Sequence, residues 1–347
     1  INSEKFDYSA SAGDDLATKF AQLIGQHGSY AANAADGVLN ITSGAGLANI
    51  RVKALNPNSG FVILQTTGID ATNFEIRAAR DIQIILVDDF RLSGFVGGVN
   101  GFEPADNVSI RTQGALIAQG AIVSAEQAPA DPSNGRLVLD ANSISGDDSS
   151  VFIARDLDVI SRRGISLNTL VATISRAIAS YTDDPNDTIL SGSLFINEAD
   201  ALVIDSALAR NGAIEIKTGG SLTIDRATTL GDSTTSAPHS ISLNVNGDLA
   251  LNRLETAQDQ GSVKLYSDIF LNVAGSITEI YSDEEGIRNT QVDLYAHDLF
   301  IKGISSQLSG GGAPLLVSDE LITDDDDTNE LEIDFTKSSN GGVKSLS

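Results

Sequence analysis

The sequence predicts an all-β chain, and within that class a parallel β-helix (β-solenoid). The first observation is a recurring unit: Ile214-Glu-Ile216-Lys-Thr-Gly-Gly220-Ser-Leu222-Thr-Ile224 reads as strand, tight turn, strand. Ile241-Ser-Leu243-Asn-Val-Asn-Gly247-Asp-Leu249-Ala-Leu251 repeats it with identical spacing, and Val108-Ser-Ile110-Arg-Thr-Gln-Gly114-Ala-Leu116 follows the same rule. Such a unit is too small to bury its own apolar face and can do so only when stacked on neighbours. The second observation is period-two alternation over most of the chain, which gives each short strand one buried face. The third is composition: 41% hydrophobic but only 5% aromatic, with no Trp, which suits a narrow core of Val, Ile, Leu, Ala and Phe.

In order along the chain, residues 1–36 read as an N-terminal helical cap. Leu16, Phe20, Leu23 and Ile24 have helical spacing, Asp14 and Asp15 stand where a helix N-terminus favours negative charge, and Gly25 and Gly28 end the pattern. From about Val38 the period becomes two, and residues 37–336 form the solenoid. Its triplets include Phe74-Glu-Ile76, Ile82-Gln-Ile84, Leu137-Val-Leu139, Val151-Phe-Ile153, Leu157-Asp-Val159, Leu194-Phe-Ile196 and Leu202-Val-Ile204. Val263-Lys-Leu265 with Ile269-Phe-Leu271, and Val292-Asp-Leu294 with Leu299-Phe-Ile301, read as the last two pairs. Pair starts at 194, 214, 241, 263 and 292 are then 20, 27, 22 and 29 residues apart, about one β-helix coil each.

Residues 165–181 interrupt this reading. Leu167, Leu170, Val171, Ile174 and Ile178 have helical spacing with Arg176 opposite, which predicts a helical insertion stopped by Asp183-Asp184-Pro185-Asn186-Asp187. After Gly310-Gly311-Gly312 the chain turns acidic. Leu331-Glu-Ile333-Asp-Phe335 reads as a last strand, and residues 337–347 as a polar tail or linker.

The formal net charge is −25. That argues against nucleic-acid binding, which needs clustered Lys and Arg, and against an anionic membrane surface. No apolar run reaches the roughly 20 residues needed to span a bilayer, so no membrane insertion is expected. The absence of Cys excludes disulfides, thiolate metal sites and thiol catalysis. No signal peptide is visible from Ile1 onward.

The units Ile214–Ile224 and Ile241–Leu251 resemble repeats of filamentous-haemagglutinin-like bacterial exoproteins, over roughly residues 70–305. The resemblance implies a right-handed parallel β-helix and an extracellular, cell-surface role as an adhesin-type module. It transfers no catalytic residues, and the repeats here are less regular than the family's.

Candidate chemistry is sparse. Asp88 with Asp89, Asp147 with Asp148 and Asp183 with Asp184 could supply the carboxylate pair of a glycoside hydrolase, but an acidic chain produces adjacent carboxylates by chance. Gly25-Gln26-His27-Gly28 is a poor echo of the turn in pectin-degrading β-helices, whose other motifs are missing as a set. His27, His239 and His297 are far apart in sequence and read as surface or turn histidines. Calcium, which takes oxygen ligands, fits two acidic loops: Asp183, Asp184, Asn186 and Asp187, and Asp324, Asp325, Asp326 and Asp327. Asn40, Asn107 and Asn186 open glycosylation triplets that read as chance. The expectation is a non-enzymatic structural or adhesive module forming a surface rod, fibre or lattice. Its partners would be further copies, neighbouring surface proteins or glycans. The alternatives are a self-assembling filament or surface-layer subunit, and a polysaccharide-acting β-helix enzyme.

Overall fold

A computed structural model describes side chains over residues 75–77, 81–97, 107–125, 135–180, 192–231, 239–256 and 269–275, and the backbone of further strands between Tyr30 and Thr323. The described residues are all-β: strands joined by turns, with no helix among them. Contacts divide the chain into two compact units, Ile1–Asp158 and Val159–Ser347.

In the second unit, one parallel ladder runs through Ile165–Ala179, Leu194–Glu198, Ile214–Thr218, Ile241–Val245, Ile269–Val273 and Asp298–Lys302. Ile165, Leu194, Ile214, Ile241, Ile269 and Leu299 stand opposite one another in turn. A second parallel ladder joins the later part of Ile165–Ala179 to Leu202–Arg210, Leu222–Asp232, Leu249–Asp259 and Ile277–Glu279. Partners in register on successive strands of the first ladder are 29, 20, 27, 28 and 30 residues apart in sequence.

The first unit is built the same way. Val38–Ser43, Val62–Thr66, Ile82–Leu86, Asn107–Thr112 and Arg136–Ala141 form one parallel ladder. Ile69–Asp70, Phe90–Gly97, Ala115–Ala125 and Ser143–Gly146 form another. Antiparallel pairs occur at the outermost described strands. Tyr30–Ala35 pairs with Val38–Ser43, Glu320–Thr323 with Asp298–Lys302, and Leu315–Leu316 with Gln307–Leu308.

Alternation sets what is buried. In Ile241–Val245 the first, third and fifth side chains are buried and the two between face outward. Ile216, Leu222, Leu243 and Leu249, expected to point inward, have no exposed surface, and Ile216 opposes Leu243 as Leu222 opposes Leu249. Burying each such side chain contributes about 1.5–3 kcal/mol, so a ladder of them supplies the cohesion that no single strand could.

Three expectations need correction. The helical insertion at 165–181 is a 15-residue strand, Ile165–Ala179. Its buried residues run 165, 167, 169, 171, then 174, then 177 and 179. Alternation is reset twice, and each reset leaves a three-residue step that imitates helical spacing. The pairing skips at the same place, from Ile174 opposite Ile204 to Ala177 opposite Ala207. Leu170, assigned to the apolar helix face, is 37% exposed. The Ile, Val and Thr content favours extended backbone.

The last two pairs are also out of register. Ile269, not Val263, stands opposite Ile241, and Leu299 stands opposite Ile269. Lys264–Tyr266 instead folds back antiparallel on Leu249–Asp259. Of the expected 1–36 cap, Tyr30–Ala35 is a strand, and the helix at 14–24 lies outside the described residues.

Candidate functional site

The first ladder of the second unit presents an outward face, built by the same alternation that fills the core. Two outward positions per strand stack into two rows. One row is Ser166, Phe195, Glu215, Ser242 and Phe270; the other is Asn168, Asn197, Lys217, Asn244 and Asn272. Phe195 is 41% and Phe270 38% exposed, unusual for rings that a core would accept. Asn197 Nδ2 donates to Asn168 Oδ1 at 2.9 Å, and Asn272 Nδ2 to Asn244 Oδ1 at 3.1 Å. Lys217 Nζ lies 2.6 Å from Glu215 Oε1. Among these ten residues Glu215 and Lys217 alone are charged, and the register carries the rows on to Phe300 opposite Phe270 and Lys302 opposite Asn272.

The turn beside this face is fixed by contact between successive turns. Gly219 N donates to Glu198 O, Asn246 N to Thr218 O, and Gly275 N to Gly247 O. A Cβ on Gly219 would lie 2.0 Å from Ala199 O, and one on Gly247 2.7 Å from Ser221 N. The recurring turn glycine is thus a matter of close backbone approach. Glu198, an inward residue only 2% exposed, ties strand and turn together: its Oε2 accepts the Val171 N–H at 2.9 Å and its Oε1 the Asp200 N–H at 3.1 Å. Sequence reasoning missed Glu198, although alternation through Leu194 and Ile196 places it inward.

The first unit contains a groove of about 240 Å³ lined by Asp81, Gln83, Asn107, Ser109, Arg136 and Val138, among others. Asp81, Asn107 and Arg136 are linked to one another, whereas the buried Ser109 Oγ has no hydrogen-bond partner. Asn107 Nδ2 donates to Asp81 Oδ1 at 2.9 Å, Asn107 Oδ1 accepts the Arg136 N–H at 3.2 Å, and Arg136 pairs with the buried Asp158 at 2.8 Å. Asn107 therefore has a structural task.

Of the carboxylates weighed for catalysis, Asp147 is committed to its turn. Its oxygens accept from Ser150 Oγ, the Gly120 N–H, and the hydroxyl and N–H of Ser149. The Ser150 hydroxyl first, then the Gly120 amide, lower its pKa to about 2. Asp89 Oδ1 likewise accepts the Ala115 N–H at 2.8 Å. His239, expected as a surface or turn histidine, stands just before Ile241–Val245 and is not at the surface: it is buried at 3% exposure. Its ring packs on Gly231, where a Cβ would come within 2.5 Å of Nε2.

Asp183, Asp184, Asn186, Asp187 and Asp324 through Asp327 lie outside the described residues, as do His27 and His297. Among the described residues, no three His, Asp or Glu side chains converge to hold a metal ion. Comparison with protein-family models, with curated proteins and with solved structures finds no match to this chain.

Proposed function

We propose that the parallel ladders of each unit are the faces of a parallel β-solenoid, and that the chain serves as a structural or adhesive module outside the cell, at its surface. The observation that carries the reading is the repeated in-register stacking. Along the ladder from Ile165 to Leu299 equivalent residues recur at intervals of 20 to 30 residues, with two inward rows that are apolar and one outward row that is mostly asparagine. Such stacking spends the sequence on long, regular outer faces, the form of surface that repeat proteins use for contact. The likeness of Ile214–Ile224 and Ile241–Leu251 to filamentous-haemagglutinin-like repeats supports the same reading, and with it the right-handed sense. The antiparallel strand Glu320–Thr323 on the edge of Asp298–Lys302 favours a finished module over a filament joined strand to strand at that edge.

The test is adhesion. Beads coated with the purified chain should be retained under flow on glycan- or protein-coated surfaces more strongly than beads carrying an unrelated globular protein of similar net charge. Equal retention on every surface would contradict the adhesive reading.

A further inference from the structure

We propose that the turn Asn246-Gly247 is a site of spontaneous covalent modification. There the Asn246 side chain closes on the Gly247 amide, loses ammonia and reopens with water as an aspartyl or isoaspartyl residue. The inference goes beyond the adhesive reading and does not depend on it. It stands on one missing hydrogen bond in a stack of otherwise equivalent turns.

Register aligns the turns. Glu198, Thr218, Val245 and Val273 stand opposite one another in turn, so Asp200, Gly220, Gly247 and Gly275 hold equivalent places two residues further on. Gly220 N donates to Asp200 O at 3.1 Å, and Gly275 N to Gly247 O at 2.9 Å. The same rule would send the Gly247 N–H to the Gly220 carbonyl. That oxygen instead accepts the Thr218 hydroxyl at 2.8 Å, and among the described residues the Gly247 N–H has no hydrogen-bond partner.

The chemistry needs three things, and they coincide here. The first is a backbone nitrogen that no acceptor holds. The second is a residue with no side chain to shield that nitrogen, which glycine provides. The third is access to water and base, and Asn246 is exposed in the turn between Ile241–Val245 and Leu249–Asp259. Its Nδ2 reaches the Gly219 carbonyl at 3.3 Å, longer than a strong N–H···O bond, so the side-chain amide is weakly held. Asn211-Gly212 has the same sequence and lacks the third condition, because Asn211 is only 2% exposed.

Base from solvent takes the Gly247 N–H proton, and the nitrogen attacks Asn246 Cγ. A bond forms between that nitrogen and Cγ, closing a cyclic imide. The Cγ–Nδ2 bond breaks, and Nδ2 leaves as ammonia with a proton returned from solvent. Water then adds to one of the two imide carbonyls and breaks its bond to nitrogen. Opening at the side-chain carbonyl gives an aspartyl residue; opening at the main-chain carbonyl gives an isoaspartyl residue, whose chain runs on through Cγ. Water is consumed and ammonia released, and nothing is oxidised or reduced. The isoaspartyl product lengthens the main chain in a turn where a Cβ on Gly247 would already lie 2.7 Å from Ser221 N, so it should lower the melting temperature.

The experiment incubates the full chain in warm, mildly alkaline buffer. It follows both sites by peptide mapping, with mass-spectrometric fragmentation that distinguishes aspartyl from isoaspartyl products. Asn246 should convert to a mixture of the two at least about tenfold faster than Asn211, which must first open to water. In denaturant the two sites should convert at similar rates. Thr218→Val leaves the Gly220 carbonyl to the Gly247 N–H and should slow Asn246, relative to Asn211, about threefold or more. No conversion at Asn246 in the folded chain, or conversion at Asn211 as fast as at Asn246, would overturn the proposal. So would a relative rate that Thr218→Val leaves unchanged, or an advantage of Asn246 that persists in denaturant. The comparison of the two sites in the wild type needs no variant and decides the matter if Thr218→Val does not fold.

Discussion

The two units hold successive turns together by different means. In the second unit, contact between turns is largely backbone on backbone: Gly219 and Gly220 donate to Glu198 and Asp200 carbonyls, and Gly275 to that of Gly247. In the first unit, side chains carry more of it. Asp89 accepts from Ala115, Asp147 from Gly120, and Ser150 from Ala121. The same ladder can therefore be closed by removing side chains until backbones touch, or by adding short polar side chains that reach across. The first solution is sensitive to added volume, the second to protonation.

The largest expected effect lies in what the two solutions share, the apolar interior. Leu249→Asp puts an uncompensated carboxylate in a fully buried position and should cost several kcal/mol in chemical denaturation. A melting temperature within a degree of wild type would contradict the inward assignment.

Next comes the steric solution. Gly219→Ala places a Cβ 2.0 Å from the Ala199 carbonyl oxygen and should destabilise by about 1–3 kcal/mol, because the obstacle is backbone and cannot swing aside. Gly120→Ala in the first unit meets only Ser149 Oγ at 3.6 Å, but forces a φ of +63° on a residue with a side chain. Its cost should be about 1 kcal/mol, from backbone conformation alone. If the two variants reverse in order, the contrast between the units fails.

Glu198→Ala should cost about 1–3 kcal/mol, since it strips acceptors from the buried Val171 amide and the part-buried Asp200 amide. Glu198→Gln keeps one acceptor oxygen and should recover part of the loss in the same denaturation series.

The smallest effect is electrostatic. Asp147 has its pKa lowered to about 2 in the folded chain. Its contribution is present above the ordinary carboxylate pKa near 3.9 and is lost as pH falls through the folded value. Melting curves of wild type and Asp147→Asn should therefore differ most near neutral pH and converge toward pH 2. A gap that widens on acidification would mean the carboxylate is not the acceptor in that turn.

Much of this was legible in the sequence where alternation and turn glycine agree. Ile214–Ile224 and Ile241–Leu251 displayed their inward residues, and the glycines marked where turns touch. Alternation failed at Ile165–Ala179 because a strand that resets its phase twice produces the spacing of a helix. Register failed at Val263 because apolar alternation shows which side is buried and not which neighbour it meets; only pairing chooses Ile269 over Val263. The rows of Phe195 and Phe270 were invisible for the same reason, since they form between residues separated by several turns of sequence.

The central claim is the in-register parallel stacking, and a cysteine-pair experiment tests it most directly, because the chain has no Cys of its own. Asn244 and Asn272 are partners in register and their side chains meet at 3.1 Å. Neighbouring strands lie about 4.8 Å apart, within the Cα separation a disulfide spans. The double variant Asn244→Cys, Asn272→Cys should form an intramolecular disulfide under mild oxidation. Asn244→Cys with Tyr266→Cys, the partner that a coil starting at Val263 would supply, should not. The opposite outcome would contradict the stacking described here.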